Sequence, residues 1–113
     1  MKAKTLGNHY EQQALTYLTQ NGLILLKKNF YCRRGEIDLI CLDQTQLVFI
    51  EVRYRSNKNY GNALESVTYS KQQKIKKTAH YFLFTHPHFQ QHGMRFDIIA
   101  MDRQTIQWVK NAF

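Results

Sequence analysis

The sequence contains few residues that interrupt regular structure. Its 113 residues include one proline and five glycines, so no part of the chain is typical of a long disordered linker. No apolar run approaches the roughly 20 residues that a membrane-spanning helix needs. Residues 1–6 are polar and lack the hydrophobic segment of a signal peptide. We therefore expect a cytoplasmic protein that does not associate with membranes.

Cysteine is also scarce, and this excludes two classes of small protein. The two cysteines, Cys32 and Cys41, are too few for a disulfide framework and lack the paired C-x-x-C spacing of a structural zinc site. In a reducing compartment we expect both to be free thiols.

Negative charge is the third scarcity. Eight acidic residues stand against sixteen lysines and arginines, which gives a net charge of +8. Such a balance favours a polyanionic partner, most often nucleic acid. The alternative is a basic surface that serves only solubility. The length and the 43% hydrophobic content suit one domain over residues 1–113.

Hydrophobic periodicity predicts the order helix, three strands, helix, two strands. The first helix is predicted over residues 5–21 and the second from about 70 to 84, with a capping box at its start and Pro87 after its end. Strands are predicted over 23–30, 36–42, 47–54, 95–101 and 105–110, with a turn at 31–35, a polar turn at 43–46 and a loop over 55–65. This order predicts an α/β domain with a mixed sheet flanked by helices.

Three of the acids lie in segments that are otherwise predicted as buried strands. Ionised carboxylates rarely occupy such positions without a metal, a cationic partner or a hydrogen-bond network. Because side chains alternate along a strand, Glu36 and Asp38 share one face, and Glu51 and Arg53 share one face of the neighbouring strand. If the hairpin register brings these faces together, Asp38, Glu51 and Arg53 converge.

The first helix offers a further carboxylate. Glu11 projects about 20° from Leu18 and therefore borders the apolar stripe of the helix. Together with Asp38 and Glu51 it makes the kind of oxygen-ligand set that Mg²⁺ prefers. A metal ion held there would activate water and neutralise charge on a phosphodiester, with Arg53 steadying the phosphate. The alternative is a structural Glu–Arg network that holds a small sheet together.

The hairpin strands carry a more specific pattern. The run GEIDLI at 35–40, followed by VFIEVRYR at 48–55, resembles the YraN-like family of small bacterial proteins (uncharacterised protein family 0102). Other segments resemble the same family: Gly7 with Glu11, Gly61 with Ser66-Val67 and Lys71, and the run RFD at 95–97. That family resembles the PD-(D/E)XK nuclease superfamily, and within it the archaeal Holliday-junction resolvases. The resemblance implies a restriction-endonuclease-like αβββαβ core and a metal-dependent DNA endonuclease using Mg²⁺ or Mn²⁺, with branched DNA among its candidate substrates.

The resemblance also assigns roles to four residues. Asp38 takes the catalytic Asp position, Glu51 the Glu position and Glu11 the position of the helix Glu. Arg53 takes the position where the superfamily usually has lysine. An arginine effectively cannot lose its proton, so Arg53 can hold a scissile phosphate but cannot act as a general base. Water activation would then fall to the metal. Lys71 on the second helix could substitute, although it could also be a first-turn surface residue.

Basic residues near the acidic strands are candidate contacts for nucleic acid. Phosphate binding, with an affinity that falls as salt rises, is expected of Arg34, Arg55, Lys58 and Lys71. Because resolvase-like enzymes cut two strands symmetrically, the analogy also implies a homodimer. Two alternatives stay open: a non-catalytic nucleic-acid-binding module that retains the nuclease-like fold, and a protein-interaction domain whose charge only aids solubility.

Overall fold

A single mixed sheet organises the protein. A computed structural model describes residues 2–55 and 60–113, with side chains over 9–55 and 63–113, and within these residues five strands form one sheet in the order β1-β2-β3-β4-β5. The helices are α1 (Lys2–Gln20), α2 (Tyr60–Glu65) and α3 (Tyr69–Thr85), and the strands are β1 (Ile24–Cys32), β2 (Gly35–Asp43), β3 (Gln46–Tyr54), β4 (Gly93–Met101) and β5 (Ile106–Val109). These elements confirm the predicted α/β class and are consistent with a nuclease-like αβββαβ core.

The strand connections place a helix layer on each face of the sheet. Strands β1, β2 and β3 pair antiparallel, β4 runs parallel to β3, and β5 pairs antiparallel with β4. The β3–β4 crossover carries α2 and α3, because parallel neighbours need a long connection. Alternation along β3 sends Leu47 and Phe49 into the core with α3, and Val48 and Ile50 into the core with α1.

The crossover differs from the prediction in two places. Residues 55–65 were expected to form a loop, but α2 occupies the second half of this stretch. The polar sequence shows no helical period, and α2 instead buries a small residue, Ala63, against the sheet. Helix α3 begins at Tyr69 with Thr68 as its N-cap, whose hydroxyl accepts the Lys71 N–H at 3.3 Å, so the predicted capping box at Ser70 is wrong. The predicted end before Pro87 is confirmed.

The β1–β2 hairpin packs directly against α3. Its turn is shorter than predicted, because β1 continues to Cys32 and β2 begins at Gly35. A Cβ atom at Gly35 would lie 3.1 Å from Thr78 Oγ1 and 3.4 Å from Lys74 Cβ. Glycine therefore permits the hairpin to approach the helix closely. This approach brings the start of β2 to the first half of α3.

The chemical predictions for the cysteines are met. Cys32 and Cys41 are both free thiols. Burial raises the pKa of Cys41 to about 12, with a further contribution from the charge of Asp97. This thiol is therefore a core residue without nucleophilic reactivity at neutral pH. In the part of the chain that the structure describes, no helix has the length and apolar character needed to cross a membrane.

A buried ionic network joins β4 to the C-terminal end of the chain. Asp97 is fully buried and accepts hydrogen bonds from the Arg95 guanidinium, from Trp108 Nε1 at 2.8 Å and from the Asn111 N–H at 2.9 Å. Arg95 also donates to Asp43 Oδ2 at 3.1 Å. The pairing of Asp97 with Arg95 therefore has a structural role.

Replacing Asp97 with alanine should lower the free energy of unfolding by about 3–5 kcal/mol, because it leaves Arg95 with Asp43 alone and removes the acceptor of Trp108 Nε1 and the Asn111 N–H. Asp43→Ala should cost about 1 kcal/mol or less, since this carboxylate is 23% exposed and Arg95 keeps Asp97. Urea denaturation followed by the fluorescence of Trp108, the single tryptophan, measures both. Equal stabilities of the two variants would contradict the assignment.

Candidate active site

The site begins where β2 and β3 separate. The two strands are paired from Asp43 opposite Gln46 to Leu39 opposite Ile50, and the recorded pairing ends there. Asp38 is the next residue of β2, and its Oδ2 accepts a hydrogen bond from the Val52 N–H at 2.8 Å. The carboxylate thus replaces a strand backbone as partner of this amide. Asp38 is thereby held at the point of separation.

Glu51 and Arg53 meet Asp38 at this point. Glu51 is 7% exposed, and a side-chain hydrogen bond joins it to Asp38. Arg53 Nη2 lies 2.8 Å from Glu51 Oε2. The hairpin register therefore brings together the three side chains that alternation predicted would converge.

Both carboxyl groups have raised pKa values, and that of Glu51 lies above neutral pH. Burial, followed by the negative charge of Asp38, raises the pKa of Glu51 to about 8, although Arg53 and Lys71 oppose the shift. Burial also raises the pKa of Asp38, against the opposing effects of the Val52 N–H, the Arg53 charge and the hydrogen bond with Glu51. These directions are those of a hydrogen bond that Glu51 donates to Asp38 beside the guanidinium of Arg53.

This group lies in a cleft of about 270 Å³ between the sheet and α3. The sheet side is lined by Gly35, Glu36, Asp38, Glu51 and Arg53, and the helix side by Lys71, Lys74 and Ile75. Glu36 is exposed, so the predicted burial of its side chain is wrong. It is the second residue of β2 and lies where the strand begins. Lys74 belongs to a basic cluster in the sequence but was not a predicted contact. Its spacing of three residues from Lys71 is the signal that would have placed both on one helix face.

Glu11 lies near Asp38 but does not line the cleft. It is half-buried on α1, and its Oε1 atom is buried without a hydrogen-bond partner among the described residues. Burial is the main reason that the pKa of Glu11 is raised, followed by the charge of Asp38, while a side-chain hydrogen bond from Asn29 opposes the shift. Glu11 therefore places a further carboxyl group near Asp38, on the side of α1.

The donor set suits a hard cation that keeps much of its water. Over the described residues, no three His, Cys, Asp or Glu side chains form a ready-made metal-binding group. Mg²⁺ nevertheless binds proteins through one or two carboxylates, with waters and phosphate oxygens completing its shell. Asp38 and Glu51 supply that number, and nearby Glu11 holds an oxygen atom that has no hydrogen-bond partner among the described residues. The residues present therefore fit a Mg²⁺ or Mn²⁺ ion better than they fit zinc.

Arg53 has a free donor for an anion. Its Nε atom is buried and has no hydrogen-bond partner within the described part of the chain, although Nη2 is paired with Glu51. A phosphate oxygen in the cleft would satisfy this donor, and guanidinium groups bind phosphate through more than one N–H.

The other predicted contacts lie around or beyond the cleft. Arg34 is exposed in the β1–β2 turn, directly before Gly35. Arg55 is exposed, donates from Nη1 to the Tyr54 carbonyl at 2.9 Å, and is not part of the cleft lining. Lys71 does line the cleft. Lys58 lies outside the residues that the structure describes.

Comparison with known proteins places the whole chain in one group. The family model described as "Uncharacterised protein family UPF0102" matches residues 10–101. A UPF0102 protein of Legionella pneumophila (strain Corby) is 48% identical over 109 residues, covering 95% of this chain and 92% of the relative. One from Alcanivorax borkumensis is 44% identical over 115 residues, covering 97% and 92%, and one from Francisella tularensis subsp. tularensis is 45% identical over 114 residues, covering 100% and 97%. The chain therefore belongs to uncharacterised protein family UPF0102, the family that its strand motifs resemble.

Proposed function

We propose that this protein is a metal-dependent DNA endonuclease that hydrolyses phosphodiester bonds in the cleft between β2, β3 and α3. The observation that carries the proposal is the Asp38–Glu51 pair. The buried Glu51 carboxyl group is hydrogen-bonded to the half-buried Asp38, although the chain has twice as many basic residues as acidic ones. A pair of this kind is costly as structure and useful as a cation site.

Six side chains in or beside the cleft have a role in this proposal. Asp38 and Glu51 would hold Mg²⁺ or Mn²⁺, and Glu11 would bind one of its waters or approach it from α1. The metal, when bound, would supply an activated water and neutralise phosphate charge. Arg53 would orient the scissile phosphate through its unpartnered Nε–H. Lys71 and Lys74 would bind neighbouring phosphates from the opposite wall.

DNA is the substrate that the charge and the family resemblance favour. The net charge is +8, and three of the eight residues lining the cleft are cationic. The resemblance to resolvases adds branched DNA to the linear duplex as a candidate.

A non-catalytic nucleic-acid-binding module is the second candidate, and one observation favours it. Arg53 is tied to Glu51 by an ion pair of 2.8 Å, as expected if both residues are structural. An arginine at this position also cannot act as a general base. Binding without cleavage would therefore follow if the Arg53–Glu51 pair stays intact when DNA binds.

Asp38→Ala and Glu51→Ala should abolish cleavage of DNA while leaving binding intact, because each removes a metal ligand and not a phosphate contact. Cleavage is measured on labelled linear duplex, single strand, flap and four-way junction with Mg²⁺ or Mn²⁺, against EDTA. Glu65→Ala, which removes an exposed acid of α2, is the matched control and should cut normally. Absence of cutting by the unmodified protein on all four substrates, with salt-sensitive binding retained, would favour the binding module.

Arg53→Ala should lower the cleavage rate roughly 100-fold, the size of effect seen when one donor to a charged transition state is removed. Arg53→Lys should give an intermediate rate, because a lysine keeps the charge but loses the forked geometry of the guanidinium. Single-turnover rates at saturating protein separate this effect from weaker binding. Unchanged rates in both variants would remove Arg53 from the proposed machinery.

The pH dependence of stability tests whether Glu51 keeps its proton in the folded protein. Across the interval from the usual pKa of 4.5 to about 8, the folded protein holds a proton on Glu51 that the unfolded chain has lost. The contribution of Glu51 to the free energy of unfolding is therefore complete below pH 4.5. It falls as the pH rises from 4.5 to about 8 and is lost above that value. Urea unfolding in EDTA should show this fall, and Glu51→Gln should reduce it.

Metal should counter the same loss. Mg²⁺ competes with the proton, so it should stabilise the unmodified protein more at pH 8.5 than at pH 6. Glu51→Gln should respond weakly to Mg²⁺ at both values. Equal stabilisation of both proteins at both pH values would exclude the carboxylate pair as the metal site.

A further inference from the structure

A second surface of the protein combines exposed aromatic rings with cations. It consists of Tyr31, Arg33 and Arg34 on the β1–β2 hairpin and Lys77, Tyr81 and Phe84 on α3, and we call it the aromatic–basic patch. Phe84 is 78% exposed, Tyr31 73% and Tyr81 47%. Two grooves of about 350 and 370 Å³ run through the patch, and Arg34 and Tyr81 line both. Single exposed rings are ordinary on protein surfaces, but three rings within one cationic patch are not.

The patch is continuous with the cleft of the candidate active site. Gly35 lines the cleft and directly follows Arg34. Lys74 also lines the cleft and lies one helical turn before Lys77. From Lys74 to Phe84 the helix advances ten residues, or about 15 Å at 1.5 Å per residue. A strand with the duplex spacing of about 3.4 Å per nucleotide would place roughly four nucleotides along this length.

The charge of the patch suits an anion. Helix α3 has lysines at 71, 74, 76 and 77 and contains no acidic residue. The hairpin turn adds Arg33 and Arg34, both exposed. A helix with this composition gains nothing from the Glu–Lys pairs that usually stabilise solvent-exposed helices. The retained positive charge is therefore available for a polyanionic ligand.

Packing beneath the patch holds it in place. Phe30 contacts Phe82 edge-on at 5.2 Å between ring centroids and lies 6.2 Å from Tyr81. Cys32 Sγ lies 3.9 Å from Thr78 Oγ1, which joins the hairpin to the helix. The two halves of the patch thus sit on rigid elements, and a ligand would not need to order them.

The aromatic rings decide which nucleic acid fits. A duplex keeps its bases stacked inside, so a surface that binds it needs cations for phosphates and gains little from exposed rings. An unpaired strand exposes its bases, and aromatic side chains stack on them without regard to sequence. Alternation of rings and cations is the pattern of single-strand binding surfaces.

We propose that the aromatic–basic patch binds a single-stranded arm of the nucleic-acid substrate and leads it from Phe84 towards the cleft. The path into the cleft rests on the proposed nuclease function; the binding of the strand does not. The substrate class is then DNA that joins a duplex to an unpaired arm, such as a flap or a splayed fork.

The test measures binding in EDTA by fluorescence anisotropy, with a labelled oligo(dT) strand, a flap and a blunt duplex of equal length. Tyr81→Ala/Phe84→Ala should weaken binding to the strand and the flap at least tenfold, the effect expected from loss of one or two stacked bases. Binding to the blunt duplex should change less than twofold. The rings are largely exposed, so the fold should persist in the double variant. Phe84→Tyr keeps an aromatic ring and should bind the strand as the unmodified protein does.

Matched controls separate stacking from general effects. Tyr69 is 75% exposed on the first turn of the same helix and lines neither groove, so Tyr69→Ala should bind all three DNAs normally. Lys77→Ala should reduce the salt dependence of strand binding. Lys27→Ala removes an exposed lysine of β1 outside the patch, so any loss of affinity that it causes should be the same for the strand and the duplex.

Several outcomes would overturn the proposal. The first is unchanged strand binding by Tyr81→Ala/Phe84→Ala. The second is that this double variant loses dimer mass in sedimentation but keeps strand binding, which would make the patch a contact between two copies of the chain. The third is that it loses binding only to phosphatidylglycerol vesicles, which would make the patch a lipid-binding surface. Mg²⁺-dependent cleavage of the flap and of the blunt duplex, measured on the same proteins, distinguishes the two proposals. Normal cleavage with no ring-dependent strand binding contradicts the patch alone. Ring-dependent strand binding in a protein that cuts no DNA contradicts the nuclease alone.

Discussion

The separation of β2 from β3 is the constraint on which the candidate site depends. Where the ladder ends, Val52 would have an unpaired amide in a nearly buried position, and the Asp38 carboxylate accepts its hydrogen bond instead. The same bond holds Asp38 against the buried Glu51 carboxyl group. The register sets Asp38 across from Glu51, since Leu39 pairs with Ile50. The break in pairing leaves the Val52 amide to Asp38 and opens the cleft beside the carboxylate pair.

Close packing of the hairpin on α3 supplies the opposite wall. Gly35 allows β2 to begin within van der Waals distance of Lys74 and Thr78, so the lysines of α3 face the carboxylates across the cleft. A side chain at this position would push the hairpin outward and widen the cleft. The same approach joins the cleft to the aromatic–basic patch. One glycine thus brings the hairpin against a helix that lies about forty residues later in the chain, and both surfaces form where the two elements meet.

The acidic residues are divided between two tasks. Asp97 binds Arg95, Trp108 and the chain after β5, with its hydrogen bonds satisfied by donors. In the cleft Asp38 and Glu51 bind each other, and among the described residues nearby Glu11 keeps an oxygen atom without a hydrogen-bond partner. The first arrangement is complete within the protein and stabilises the fold. The second sets two carboxyl groups against each other beside Arg53, and it is the place where an external cation would gain most.

Much of this could be predicted from the sequence because it is local. Alternation of side chains placed Glu51 and Arg53 on one face, helical spacing placed Glu11 at the edge of α1, and the strand motifs at 35–40 and 48–55 indicated the family. Short-range signals failed where packing decides: helix α2 depends on the burial of Ala63 against the sheet, and the cap of α3 falls on Thr68.

Tertiary structure alone decided how these local features meet. The register of β2 on β3 brings Asp38 to Glu51, and a shift of one residue would have sent it to the other face of the sheet. Tertiary packing also placed Glu11 beside Asp38 but outside the cleft, and put Lys74 on the wall of the cleft. The pKa of Glu51 follows from burial and from a neighbour thirteen residues away. Such properties arise from contacts between distant segments, and periodicity describes only neighbours along the chain.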